Sequence, residues 1–158
     1  MKRIIIAMAL ILGISVAAAA QPRAVGARVG MGFEASYQHT LGGENFLQGD
    51  LGFSLINGLC LTGTYNFMIA QPNWTPKGEW GIYAGPGVTL GSNFNSVDAF
   101  NMAFVANAGI EFTFWFPLQL SVDLRPQFGF FTGRDSGIRY NMSGFLGFVP
   151  SVSARYCF

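Results

Sequence analysis

Charge is what this sequence most lacks. Lys, Arg, Asp and Glu make up 11% of its 158 residues, against about 25% in ordinary soluble domains. Lysine is almost gone, for Lys77 is the only one after Lys2. The formal net charge is +1, which supplies neither a basic field for nucleic acid nor an acidic one for cations.

Cysteine and histidine are equally sparse. Cys60 and Cys157 make no disulfide framework, and the single His39 has no second ligand nearby, so no metal site and no cofactor are expected. Both cysteines are placed on one inward face near the same end of the fold, three strands apart. At about 4.8 Å per strand that exceeds the roughly 7 Å reach of a disulfide, so two free thiols are expected. Beyond the N-terminal stretch no apolar run reaches the length of a spanning helix. There is no internal repeat, low-complexity tract or linker, which leaves one domain. The "GPGVTLG" stretch from Gly85 to Gly91 departs from the dinucleotide fingerprint and precedes no helix.

What is present is apolar and small. Hydrophobic residues reach 51%, with 16 Phe and 21 Gly. Aromatic wealth with little charge excludes a disordered chain. The opening "MKRIIIAMALILGISVAAAAQ" sets Lys2 and Arg3 before an apolar run and an Ala-rich A-x-A site. That layout predicts a secretory signal peptide over residues 1–20 and a mature domain over 21–158.

Period two then dominates. In "GARVGMGFEASYQHTL" Val29, Met31, Phe33, Ala35 and Tyr37 alternate with Arg28, Gly30, Gly32, Glu34, Ser36 and Gln38, and the stretch reads as one strand. "LQGDLGFSLI" follows, then Asn57-Gly58 as a hairpin signal, then "GLCLTGTYNFMI" and "EWGIYAGPGVTL". "FNMAFVANAGIEFTF", "PLQLSVDLRPQFGF" and a last strand ending "SVSARYCF" complete seven clear segments. A closed bacterial membrane barrel has an even number of strands, so an eighth is placed in "GIRYNMSGF", with Ile138, Tyr140 and Met142 on its apolar face.

Alternation leaves open which face meets water. A lipocalin-like barrel would put its apolar set inside. The apolar set here is too bulky for an eight-stranded interior, which just accommodates packed side chains. The polar set, rich in Gly, Ser, Thr and Asn, suits a crowded lumen. The apolar face is therefore read as outward, and the fold as all-β, a transmembrane antiparallel up-and-down barrel of eight strands. Aromatics near strand ends, such as Trp74, Trp80, Tyr156 and Phe158, fit an interfacial girdle. A chain ending within a strand is explained if that strand closes on the first.

With its signal peptide, its alternating strands and a final Tyr156-x-Phe158, the sequence resembles small outer-membrane β-barrel proteins of Gram-negative bacteria, of the OmpA/OmpX type. "GFEASYQHTLGG", "YAGPGVTLG" and "FPLQLSVDLRPQFG" are similar to an outer-membrane β-barrel domain family of uncharacterised function. The resemblance implies location in the cell outer membrane, contact with its lipid and lipopolysaccharide, and insertion by the barrel assembly machinery. It also implies that Tyr156 and Phe158 form part of the assembly signal. It implies no activity.

The inward charges are Arg28, Glu34, Asp50, Glu111, Asp123, Arg125 and Arg155, with Arg139 a further candidate. Mixed signs in a narrow lumen are expected to pair into a plug rather than line a pore. A lipid-modifying enzyme would need a His beside a Ser or Asp; His39 faces outward and Asp135-Ser136 lies in a turn. The reading is a non-catalytic monomer of structural or interaction role, binding no nucleic acid. The alternative is a lipid A-modifying enzyme or a barrel that binds a small ligand.

Overall fold

A computed structural model describes residues 22–41, 43–55, 58–93, 99–133, 137–142 and 148–158, with the side chains of 22, 93, 99, 131–133 and 137–142 left aside. The expected signal peptide, Asp135-Ser136 and the Arg139 side chain lie outside the described residues. Ten strand segments follow in chain order: β1 (Pro22–Val29), β2 (Gly32–Thr40), β3 (Phe46–Ser54), β4 (Gly58–Ala70) and β5 (Glu79–Asn93). Then come β6 (Ala99–Thr113), β7 (Leu118–Leu124), β8 (Gln127–Gly133), β9 (Gly137–Met142) and β10 (Ser151–Cys157).

Every pairing is antiparallel. Neighbours pair in sequence from β1 to β7, β7 pairs with β10, and β10 closes on β1. The ring has eight positions, a closed up-and-down barrel. β8 is not a ninth position, because it continues β7 in the same register along β6. The interruption falls at Arg125-Pro126, where Ala106 N donates to Pro126 O but proline has no N–H to return.

The ladders also fix the tilt. From Arg28, the row through β2, β3, β4 and β5 reaches Asn101 on β6. The row through β10 and β7 reaches Glu111, ten positions along the same strand. Such an offset requires strands inclined about 35–45° to the axis.

Two expectations about strands need correction. The "GARVGMGFEASYQHTL" stretch is a hairpin, not one strand. It reverses at Gly30 and Met31 and pairs Arg28 with Glu34 and Val29 with Phe33. The reversal turns about one residue, Met31, so inward and outward positions keep the same parity on both sides. Periodicity cannot detect such a turn. The missing eighth strand is thus β1, at the start of the described chain. The segment chosen instead, 137–142, is strand β9, but it pairs with β8 on the side where β10 pairs with β7, so it extends the position of β10 and adds none of its own.

Side chains sort cleanly between the faces. Val25, Val29, Phe33, Leu51, Leu61, Phe104, Leu120 and Val152 point outward and are exposed, while Ser36, Gln48, Thr62, Asn107, Ser121 and Ser153 are buried inside. Inward glycines admit neighbours that a Cβ would displace. At Gly52 it would sit 2.1 Å from the Phe33 carbonyl oxygen, and at Gly109 2.7 Å from the Tyr83 ring.

Candidate functional site

The interior is the only concentration of chemistry in the described residues. Its upper half, toward the Met31 turn, holds five charges of alternating sign. Arg28 on β1 divides its guanidinium fork: Nη2 donates to Asp123 Oδ1 at 2.6 Å and Nη1 to Glu34 Oε2 at 2.7 Å. Arg125 reaches across from the β7–β8 junction, placing Nη2 2.5 Å from Asp50 Oδ2 and Nη1 3.5 Å from Glu34 Oε2. The chain of contacts runs Asp123, Arg28, Glu34, Arg125, Asp50 and ties β7, β1, β2 and β3 together. Arginine suits this role because its planar fork can serve two carboxylates at once. Neutral groups extend the chain: Gln48 Nε2 donates to Asp50 at 2.9 Å, and Cys60 Sγ lies 3.5 Å from Glu34 Oε1.

Arg155 is fully buried and held by neutral oxygens. Nε donates to Ser36 Oγ at 2.9 Å, Nη1 to Ser121 Oγ at 2.7 Å and Nη2 to Ser153 Oγ at 3.1 Å. Glu111, nearer the Phe158 end, pairs with Arg23. Arg23 also lies over the Phe46 ring, its Cζ 4.3 Å from the centroid, and Phe46 meets Tyr83 edge-on at 5.2 Å. Phe46 and Tyr83 are both buried, so an aromatic layer fills the lumen there. On the β4–β6 wall, Thr62 and Thr89 share a 2.8 Å hydrogen bond, and Asn107 donates to Asn66 at 2.9 Å.

All seven inward charges read from the sequence, Arg28, Glu34, Asp50, Glu111, Asp123, Arg125 and Arg155, sit inside and buried. Arg23 was missed. By parity it belongs outside, but a register shift between Pro22 and Ala24 turns it inward. With Arg23 the described side chains of the interior include four arginines and four carboxylates, an even balance among the described residues. Ions buried without such balance would be costly.

The cysteines are also placed differently from expectation. Cys60 sits near the start of β4 and Cys157 at the end of β10, so antiparallel order puts them at opposite ends of the barrel. Both are free thiols. His39 shares the outward parity of Tyr37, whose hydroxyl lies 3.1 Å from His39 Nδ1. Tyr156 and Phe158 point outward at 55% and 71% exposure, with rings 5.4 Å apart.

Chemically, then, the molecule is a closed eight-stranded barrel with a polar, charge-paired interior and an apolar exterior. No family model, no curated protein and no solved structure matches the chain.

Proposed function

We propose that this chain is an integral outer-membrane β-barrel with a structural or interaction role and a closed lumen. One observation carries the reading: among the described strands, no outward position holds a charged side chain other than the ionisable His39. Water would leave that wall of Leu, Val and Phe unfavourably exposed, whereas hydrocarbon would not. An aqueous ligand-carrying barrel requires the opposite arrangement, with apolar groups inside.

In this reading residues 1–20 direct export and are removed, the barrel assembly machinery inserts the monomer, and the wall meets membrane lipid and lipopolysaccharide. The paired charges stiffen and plug the lumen rather than catalyse. The resemblance to OmpA/OmpX-type proteins of Gram-negative bacteria supports the location. Cell fractionation tests it: the protein is expected with the outer membrane and runs faster on gels unless boiled. Recovery as a soluble periplasmic protein overturns the reading.

A further inference from the structure

Two prolines interrupt the barrel wall at one level. A proline in a central strand has no N–H to give its neighbour, so prolines in sheets are confined to edges and bulges. Pro86 lies in the middle of β5. The β4–β5 ladder is missing between the pair Thr64 and Gly87 and the pair Phe67 and Ala84, where the register sets Pro86 opposite Tyr65. Pro126 separates β7 from β8, and the ladder along β6 is missing between the pair Ala108 and Leu124 and the pair Val105 and Gln127. Ala106 stands between the two prolines. It is opposite Pro86 on one side and donates its N–H to the Pro126 carbonyl at 3.1 Å on the other. β5 and β6 themselves pair without a break over the 15 residues of each. They form one ribbon with an interrupted ladder along either flank.

The opposite side of the ring is built the other way. The junction of β10 with β1 lies diametrically across from that of β4 with β5, and three arginines cross it from inside. Arg28 of β1 reaches Asp123 of β7, Arg23 of β1 reaches Glu111 of β6, and Arg155 of β10 reaches over β1 to Ser36 of β2. Behind the Pro86 gap the fastenings among the described side chains are neutral. Asn107 Nδ2 of β6 donates to Asn66 Oδ1 of β4 at 2.9 Å, in the row of Gly85, and Thr62 meets Thr89 at 2.8 Å. The wall is also bare at this place. Gly85 brings no side chain to the inner face, and outward Gly63 has nothing within 4 Å of an added Cβ. A neutral bond between buried amides is given up at lower cost than a buried ion pair.

We propose that the β5–β6 ribbon is a movable stave of the wall, which swings at the row of Pro86, Ala106 and Pro126 and opens the lumen sideways beside β4. Parting two strands of a closed sheet exposes backbone groups that have no other partner. At this row a rung is already absent on each flank, so the opening starts where least is lost. The bond between Asn66 and Asn107 is the clasp of the stave. The arginines on the far side keep the rest of the ring closed while it moves. The device belongs to the barrel itself and stands whether lipid or water surrounds the wall.

The test is residue-resolved amide exchange on the full mature chain refolded in detergent micelles. In the wild type, amides of residues 63–67 and 105–108 are expected to exchange about tenfold faster than those of 24–29 and 152–156 at the arginine-crossed junction. Asn107→Ala is expected to speed exchange at 63–67 about fivefold more, the worth of one hydrogen bond, and to leave the junction within about twofold. Pro86→Val supplies the N–H opposite Tyr65 and is expected to slow the same amides about fivefold. Heat-modifiable mobility shows that each variant still folds, and if one does not, the wild-type comparison decides alone. Gap amides that exchange no faster than those of the junction overturn the stave. So does an Asn107→Ala or Pro86→Val effect that is absent or spread evenly over every ladder. None of these outcomes touches the membrane reading, which fractionation tests separately.

Discussion

Arg28 and Asp123 stand 95 residues apart in sequence and 2.6 Å apart in space, on strands separated only by β10. The pair bridges behind the strand that closes the barrel. β10 gains its place by hydrogen bonds to β1 and β7, and the ion pair fastens those two neighbours to each other. Arg28 then hands the connection to Glu34 and, through Arg125, to Asp50 on β3. One buried chain thus holds the seam and the strands beside it.

Breaking that chain from one side should be expensive. Asp123→Asn leaves Arg28 with a buried, half-compensated charge, and Arg125→Gln does the same to Asp50. Each is expected to cost about 3–5 kcal/mol in urea unfolding of the vesicle-inserted barrel. The double change Arg28→Leu with Asp123→Leu should cost less than the sum of its singles by about 0.5–3 kcal/mol. Strict additivity of the two would mean that the 2.6 Å contact carries no coupling.

The same charges make a prediction about conduction. With Arg28, Arg125 and Arg155 paired or hydrogen-bonded across the lumen and Phe46 and Tyr83 filling a layer below them, no continuous aqueous path is expected. Planar bilayer recordings of the wild type should show no large, steady conductance. A stable open channel would refute the plug.

The glycines divide into two kinds that a single substitution separates. Gly52 faces inward, where an added Cβ would stand 2.1 Å from the Phe33 carbonyl oxygen. Gly63 faces outward, with nothing within 4 Å of an added Cβ. Gly52→Ala is expected to destabilise by about 1–3 kcal/mol, the cost of forcing atoms into a packed site. Gly63→Ala should be neutral or stabilise by about 0.4–1 kcal/mol, through the unfolded chain. Equal effects at both positions would contradict the assignment of faces.

Those faces were the most legible part of the sequence. Parity alone put Arg28, Glu34, Asp50, Glu111, Asp123, Arg125 and Arg155 inside, and it did so because side-chain period two survives any strand length. Parity failed where the backbone departs from a regular ladder. The turn at Met31 preserves it, so two strands read as one. The bulge beside Pro22 inverts it, so Arg23 read as absent from the interior. Partners were not legible either, since Arg28 meets Asp123 only through the register of three strands. Nothing in the local sequence of either residue carries that register.

A charge placed on the outer wall offers the most direct contrast with the interior. Leu51, Phe104 and Leu120 are exposed at 55%, 65% and 39% on the outward face. An Arg at any of them should cost about 2–4 kcal/mol where the site lies near the bilayer midplane. The interior position Ser54, buried toward the Met31 end of β3, shares the inward face of β2 and β3 with the Glu34 and Asp50 carboxylates. Ser54→Arg is expected to cost less in reversible folding into vesicles, although crowding adds a steric term. Inward substitutions that are uniformly worse than outward ones would invert the reading of the two faces.

Phe158 allows a physical role to be separated from a recognition role. Its backbone N–H donates to the Arg23 carbonyl at 3.4 Å, and its ring, 71% exposed, packs edge-on against Tyr156. The hydrogen bond survives loss of the side chain. An exposed ring also loses little burial when removed, at most the lower part of the roughly 1.5–3 kcal/mol of a buried Phe. Phe158→Ala should therefore refold from urea into detergent with nearly unchanged yield. The resemblance to outer-membrane barrels adds a larger expectation in cells, because Tyr156 and Phe158 would form part of the signal read during assembly. Phe158→Ala is then expected to reduce sharply the amount found in the outer membrane while the detergent-refolded protein stays intact. Unchanged levels in cells would leave Phe158 as a packing residue at a strand end, and parallel losses in cells and in detergent would assign its role to stability alone.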